Sequence, residues 1–120
     1  MNTKLTFLLL FSGSVFADDF DDGVDAFKRK DYETAYKLWL PFAEQGFASV
    51  QSNLGAMHEE GKGVPQDYKE AIKWYRLSAE QGDASAQFNL GVMYGKGQGV
   101  PQDYKEAVKW YRLSAEQGYA

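Results

Sequence analysis

Four local patterns in this chain carry side chains able to do chemistry. Gly91-Val-Met-Tyr-Gly-Lys-Gly is rich enough in glycine to suggest a loop that cradles a phosphate with backbone N–H groups. A phosphate loop of that kind runs GxxxxGK and then Ser or Thr. Here both the spacing and the hydroxyl are missing, so turn chemistry accounts for the glycines. His58-Glu59-Glu60 begins like the HExxH of zinc proteases, in which two histidines one helical turn apart hold the metal. The chain has 1 histidine and 0 cysteines, so the partner ligands do not exist. His58 is expected at a structural or partly exposed position. Lys73-Trp74-Tyr75-Arg76, repeated at Lys109 to Arg112, interleaves cations and rings as surfaces that stack nucleic-acid bases do. Ser78 and Ser114 recur at one repeat position, but no second histidine or cysteine can complete a triad with them. The residues thus give no catalytic group, no cofactor site and no metal site, and the chain reads as a non-enzyme.

Charge and composition narrow the partner. The 120 residues carry 13 Lys plus Arg against 17 Asp plus Glu, a formal charge of −4. An acidic chain disfavours nucleic acid and anionic lipid. Met1 to Lys4 has one positive side chain, Leu5 to Phe11 is an apolar run broken only by Thr6, and Val15-Phe16-Ala17 presents short residues where a signal peptidase reads. Residues 1–17 are therefore expected to be a signal peptide cleaved after Ala17, giving an exported protein, periplasmic or secreted. The apolar run falls well short of the roughly 20 residues a membrane-spanning helix needs, so no stable membrane insertion is expected after cleavage. Loss of Lys4 takes the basic residues from 13 to 12 against 17 acidic ones, a formal charge of −5. Small exported domains often lean on disulfides, and without cysteine this one must draw its stability from packing between repeats.

A fixed period organises the chain. Asp31, Asp67 and Asp103 recur at a spacing of 36, and residues 31–66 match 67–102 at 20 of 36 positions without a gap. Residues 103–120 restart the pattern. Within each copy the spacing predicts two helices. Asp67 with Glu70, and Asp103 with Glu106, form capping-box starts. Tyr68, Ala71, Ile72, Tyr75 and Ala79 then follow the helical rhythm of a buried stripe, and Gln81-Gly82 ends it. Trp74 and Leu77 lie off that stripe, so the helix is apolar on more than one side, as a helix sandwiched between neighbours must be. Ala86, Leu90 and Tyr94 mark the second helix, with Val50, Leu54 and His58 as their counterparts. Gly55 and Gly91 sit mid-helix at a propensity cost of roughly 1 kcal/mol each, which a close helix-to-helix approach would offset. Helices are expected over about 20–29, 32–45, 48–60, 68–81, 84–96 and 104–117. The corresponding division is a capping helix within 18–30, repeat 1 over 31–66, repeat 2 over 67–102, and the first helix of repeat 3 over 103–120.

Asp-Tyr-x-x-Ala-x-Lys-Trp-Tyr-x-x-Ala-Glu-Gln-Gly, followed by Ala-x-Ala-Gln-x-Asn-Leu-Gly-x-Met-Tyr-x-x-Gly-x-Gly-Val, resembles the Sel-one-like repeat (SLR), a relative of the tetratricopeptide repeat. The resemblance covers 31–120 and includes Leu90, Gly91, Tyr94, Gly97 and Gly99. It implies an all-α fold, a right-handed α/α superhelix with the first helix of each pair on the inner surface, and an adaptor or scaffold role with a protein or peptide partner. On that inner face Trp74, Arg76, Trp110 and Arg112 are expected to form an aromatic and cationic strip, with Leu38 and Leu40 as its greasier start. Cysteine-rich relatives have been linked to β-lactam binding or hydrolysis. Because this chain lacks their cysteines, an envelope hydrolase is only the alternative reading. The last helix keeps an apolar pattern with no second helix after it, so self-association through that open end is a further expectation.

Overall fold

The computed structural model describes residues 18–119, which leaves the expected signal segment outside the described residues. Six helices follow one another, and among the described residues there is no strand. They are α1 over 18–28, α2 (Tyr32–Glu44), α3 (Ala48–Glu60), α4 (Tyr68–Glu80), α5 (Ala84–Lys96) and α6 (Tyr104–Glu116). Local chemistry sets their ends. The Asp67 carboxylate accepts from the Lys69 and Glu70 backbone N–H groups, and Asp31 and Asp103 cap α2 and α6 in the same way. α3 and α5 stop at Gly61 and Gly97, both left-handed at φ 71° and 69°, where a side chain would be strained.

Packing is distributed along the array, with no central core. One apolar cluster joins Ala26, Ala35, Trp39, Phe42, Val50, Leu54 and Met57 and is closed by Trp74 from α4. The next joins Ala71, Ile72, Tyr75, Ala86, Leu90 and Met93 and is closed by Trp110 from α6. Each tryptophan thus reaches back into the cluster before its own helix. The mid-helix glycines have the expected reason: a Cβ on Gly55 would stand 2.6 Å from the Tyr75 ring, and one on Gly91 would stand 2.9 Å from Tyr111. The most extensive contacts pair α3 with α4 and α5 with α6.

A polar ladder runs beside the apolar clusters. Gln51 donates to the Ala43 carbonyl (3.0 Å) and Gln87 to that of Ala79 (3.2 Å), satisfying acceptors near the ends of α2 and α4. Gln81 then donates to Gln51 (2.8 Å), and Gln117 to Gln87 (2.9 Å). Ser78 and Ser114 donate to Ala48 and Ala84 carbonyls at 2.7 and 2.8 Å. The recurring serines are structural pins, with their hydroxyls committed to the backbone.

α1 belongs to this pattern in a shifted register. A Cβ on Gly23 would stand 2.5 Å from the Trp39 indole, the same relation that Gly55 has to Tyr75. The link from α1 to α2 is shorter than the link from α3 to α4, so α1 aligns with α3 at a spacing of 32. In that register Asp18, Asp22 and Asp25 take the places of Val50, Leu54 and Met57. The three aspartates are exposed, while the three apolar residues are buried against the preceding helices.

Candidate partner-binding surface

The expected strip does not form an open row of rings. Trp74 and Trp110 are 9% and 6% exposed, held in the clusters they close. Their Nε1 groups are buried without a hydrogen-bond partner, so bulk packing rather than polar recognition holds them. Arg76 is half-buried and donates to the Tyr94 hydroxyl, with its guanidinium over that ring at 5.6 Å. Leu38 and Leu40 are half-buried, Leu40 against the first cluster, and only Arg112 of the six is exposed. The physical reason is that α4 and α6 each carry two apolar sides. The tryptophan side faces backward into the array instead of outward to a partner.

His58 and Tyr36 form a partly buried polar knot at the junction of α2, α3 and α4, beside the Trp74 indole. The Tyr36 hydroxyl meets His58 Nε2 at 2.7 Å with the rings edge-on at 5.3 Å, while His58 Nδ1 has no partner. Burial holds the imidazole pKa below its usual value and outweighs the opposing pull of Glu70 and Asp67. Burial likewise raises the Tyr36 phenol, with Glu70 adding to it and the nearby Trp74 indole opposing it. One repeat on, the pair becomes Ile72 and Tyr94, so the knot is peculiar to the first junction. Tyr75 is raised far more, first by burial and then by its 2.7 Å bond to Glu59. Among the described residues no group of three or more His, Asp or Glu could hold a metal ion, and no helix is long and apolar enough to cross a membrane.

The row of α1, α3 and α5 offers a different surface. A cavity of about 240 Å³ opens between α1 and α3, floored by Phe27, Trp39, Ala56 and Met57 and rimmed by Asn53, Glu60 and Lys62. Phe27 stacks on Trp39 at 5.6 Å and meets Tyr32 edge-on at 5.1 Å, so the floor is rigid. Lys62 pairs with Glu60 at 3.3 Å and lies over Tyr32 at 5.2 Å. Asn53 is exposed, and its amide has no partner among the described residues. This cavity escaped the sequence because Phe27 and Asn53 belong to different units. Only the shifted register of α1 brings them together.

Paired helices, an apolar core strung along the array and a cleft between successive first helices define an α/α repeat solenoid. The Sel1 repeat model matches residues 20–47, 48–83 and 84–119, and the chain belongs to the Sel1 repeat family. Proteins of this family are in general protein-interaction modules, typically scaffolds without catalysis. The matched units begin half a period away from the division 31–66 and 67–102, pairing α1 with α2, α3 with α4 and α5 with α6. In this phase the residues of the expected strip all lie on second helices. A Sel1 repeat protein from Oxalobacter formigenes has a similar structure, with a TM-score of 0.78 and 40% identity over 83% of this chain and 41% of its own. So has c5321, a protective antigen of uropathogenic Escherichia coli strains displaying an SLR fold, with a TM-score of 0.83 and 40% identity over 98% of this chain and 26% of its own. Cysteine rich protein B from Helicobacter pylori shares the fold, with a TM-score of 0.68 and 21% identity over 89% of this chain and 93% of its own. The chain therefore spans less than half the length of the first two relatives. No curated protein matches it.

Proposed function

We propose that this chain is an exported protein-binding scaffold that takes a peptide or protein along its first helices, α1, α3 and α5. The cleft between α1 and α3 carries the reading. Its rigid aromatic floor suits an apolar anchor, and the unpaired Asn53 amide supplies both a donor and an acceptor to a partner backbone. Glu60 and Lys62 at the rim add charge without committing the site to one sign. Acidity of the whole chain favours a protein over a nucleic acid. Export rests on the segment ending at Ala17. N-terminal sequencing of the exported product should begin at Asp18, and a product beginning at Met1 would overturn cleavage.

Position-dependent crosslinking tests the surface. A photoreactive side chain placed at Asn53 should trap a discrete partner in the cell that makes the protein, while the same group at Lys73, exposed on α4, should not. Trapping at Lys73 and not at Asn53 would move the binding surface to the second helices and defeat the proposal.

A further inference from the structure

The turns that lead into α3 and α5 share a backbone and differ in the side chain that starts the helix. The Phe47 N–H donates to the Phe42 carbonyl and the Asp83 N–H to that of Ser78, both at 3.2 Å. Asp83 then caps α5, its carboxylate accepting from the Ala86 N–H at 2.9 Å and from the Ser85 hydroxyl at 2.8 Å. Phe47 holds the same N-cap position on α3 and makes no side-chain cap bond, because its ring has nothing to offer an N–H. Burial does not make up for the lost cap: the ring meets Phe42 at 5.8 Å and remains 49% exposed. Phe20 of α1 is half-buried and meets Phe42 edge-on at 5.4 Å, so rings from α1, α2 and the turn gather at this end of the array. A position that breaks a local rule with no matching gain inside the chain points to a contact outside it.

Charge specifies that contact. Residues 18–27 and 38–57, the stretches that supply these rings, hold six carboxylates, at Asp18, Asp19, Asp21, Asp22, Asp25 and Glu44, and no Lys or Arg. Asp19 and Asp21 flank Phe20 on either side, each about 100° round the axis of α1. None of the six is in an ion pair among the described residues. No group of three acidic side chains there could hold a metal ion, so the carboxylates act as a broad negative field around an apolar centre. We propose that the Phe47 turn docks a protein segment in which an apolar side chain is flanked on both sides by lysine or arginine. The apolar side chain covers the open half of the Phe47 ring, and the flanking cations answer the carboxylates of α1 and Glu44. The same field disfavours nucleic acid and anionic lipid as the occupant. About 10 Å along α1 separates Phe20 from Phe27 of the cleft, so this is a second surface and either proposal stands without the other.

A fluorescein-labelled peptide, Gly-Lys-Lys-Leu-Trp-Lys-Lys-Gly, is the probe, read by fluorescence anisotropy against the whole chain. It should bind saturably, and affinity should fall at least about tenfold when Ser-Ser replaces its Leu-Trp or when the chain carries Phe47→Asp. Phe47→Asp gives α3 the cap that Asp83 gives α5, so the melting temperature should hold or rise while binding is lost. It also adds negative charge, so attraction by charge alone would tighten binding instead. Phe47→Ser caps without adding charge and should lose the probe as well. Asp19→Asn with Asp21→Asn should weaken binding severalfold, and less so at high salt. Absence of saturable binding, equal affinity for the Ser-Ser peptide, or binding that survives both Phe47 variants would overturn the proposal. Loss of the probe in Asn53→Ala but not in Phe47→Asp would place it in the cleft and overturn it too. So would retention of the chain on phosphatidylcholine vesicles that Phe47→Asp removes, because the occupant would then be a membrane.

Discussion

α4 and α6 are almost the same helix in two settings. On their backward faces they behave alike: Trp74 and Trp110, Ser78 and Ser114 are all buried against the helices before. On their forward faces they part, because α4 has a successor and α6 has none among the described residues. Burial in a solenoid is therefore a property of position in the array as much as of residue type. An apolar residue on a repeat helix has two different meanings, depending on which neighbour it addresses.

The largest test of that difference is a matched pair of truncations. Tyr75→Ala removes a ring that is 1% exposed and bonded to Glu59, and it should cost about 3–5 kcal/mol. Tyr111→Ala removes a ring already open to solvent on one side, and about 1 kcal/mol or less is expected. Urea unfolding of both variants against the parent reads the contrast, and equal losses would mean that the α6 face is covered in solution.

A smaller contrast comes from the glycines beneath those rings. Gly55→Ala drives a methyl into the trapped Tyr75 ring, an overpacking cost of about 1–3 kcal/mol that a helix-propensity gain of about 1 kcal/mol only partly offsets. At Gly91 the obstructing Tyr111 ring is 37% exposed and so less confined than Tyr75, and Gly91→Ala should cost about 1 kcal/mol or less. Thermal melts of the two variants rank them. A larger loss for Gly91→Ala would show that the 3.1 Å approach of the Ala107 carbonyl dominates over the ring.

Much of this fold was legible because its signals are local. Asp67 and Asp103 cap with their own next residues, Gly61 and Gly97 need left-handed backbone, and a spacing of 36 needs only two copies to be seen. Gly55 and Gly91 were readable as close approaches for the same reason. The phase of the unit was not readable, because each helix touches a neighbour on both sides and periodicity alone does not choose between the two pairings. That half-period ambiguity goes with an expected strip placed on α2, α4 and α6. Trp74 was misplaced by a related effect: the wheel shows that it is off the Tyr75 stripe but not that a second apolar cluster lies on that side. The cleft at Phe27 and Asn53 was hidden by the shortened link after α1, which breaks the constant spacing where the site is built.

The smallest expected effect separates the two helices by pH. The start of α4 lies beside His58, while the start of α6 lies beside Tyr94, so only the first of these junctions holds an imidazole. The folded pKa of His58 lies below the ordinary 6.5, because burial disfavours the cation. Between the folded value and 6.5 the unfolded chain binds more protons than the folded one, so stability rises with pH across that window. The contribution is complete above about 6.5 and is lost as pH falls toward the folded value. Acidification should therefore loosen the junction of α2, α3 and α4 before that of α5 and α6, visible as faster amide exchange in α3 relative to α5. His58→Gln keeps an acceptor for Tyr36 but does not titrate, and it should flatten the pH dependence of the melting temperature across this window. An unchanged slope in that variant would place the acid sensitivity in the carboxylates and leave the two junctions equivalent in their response to pH.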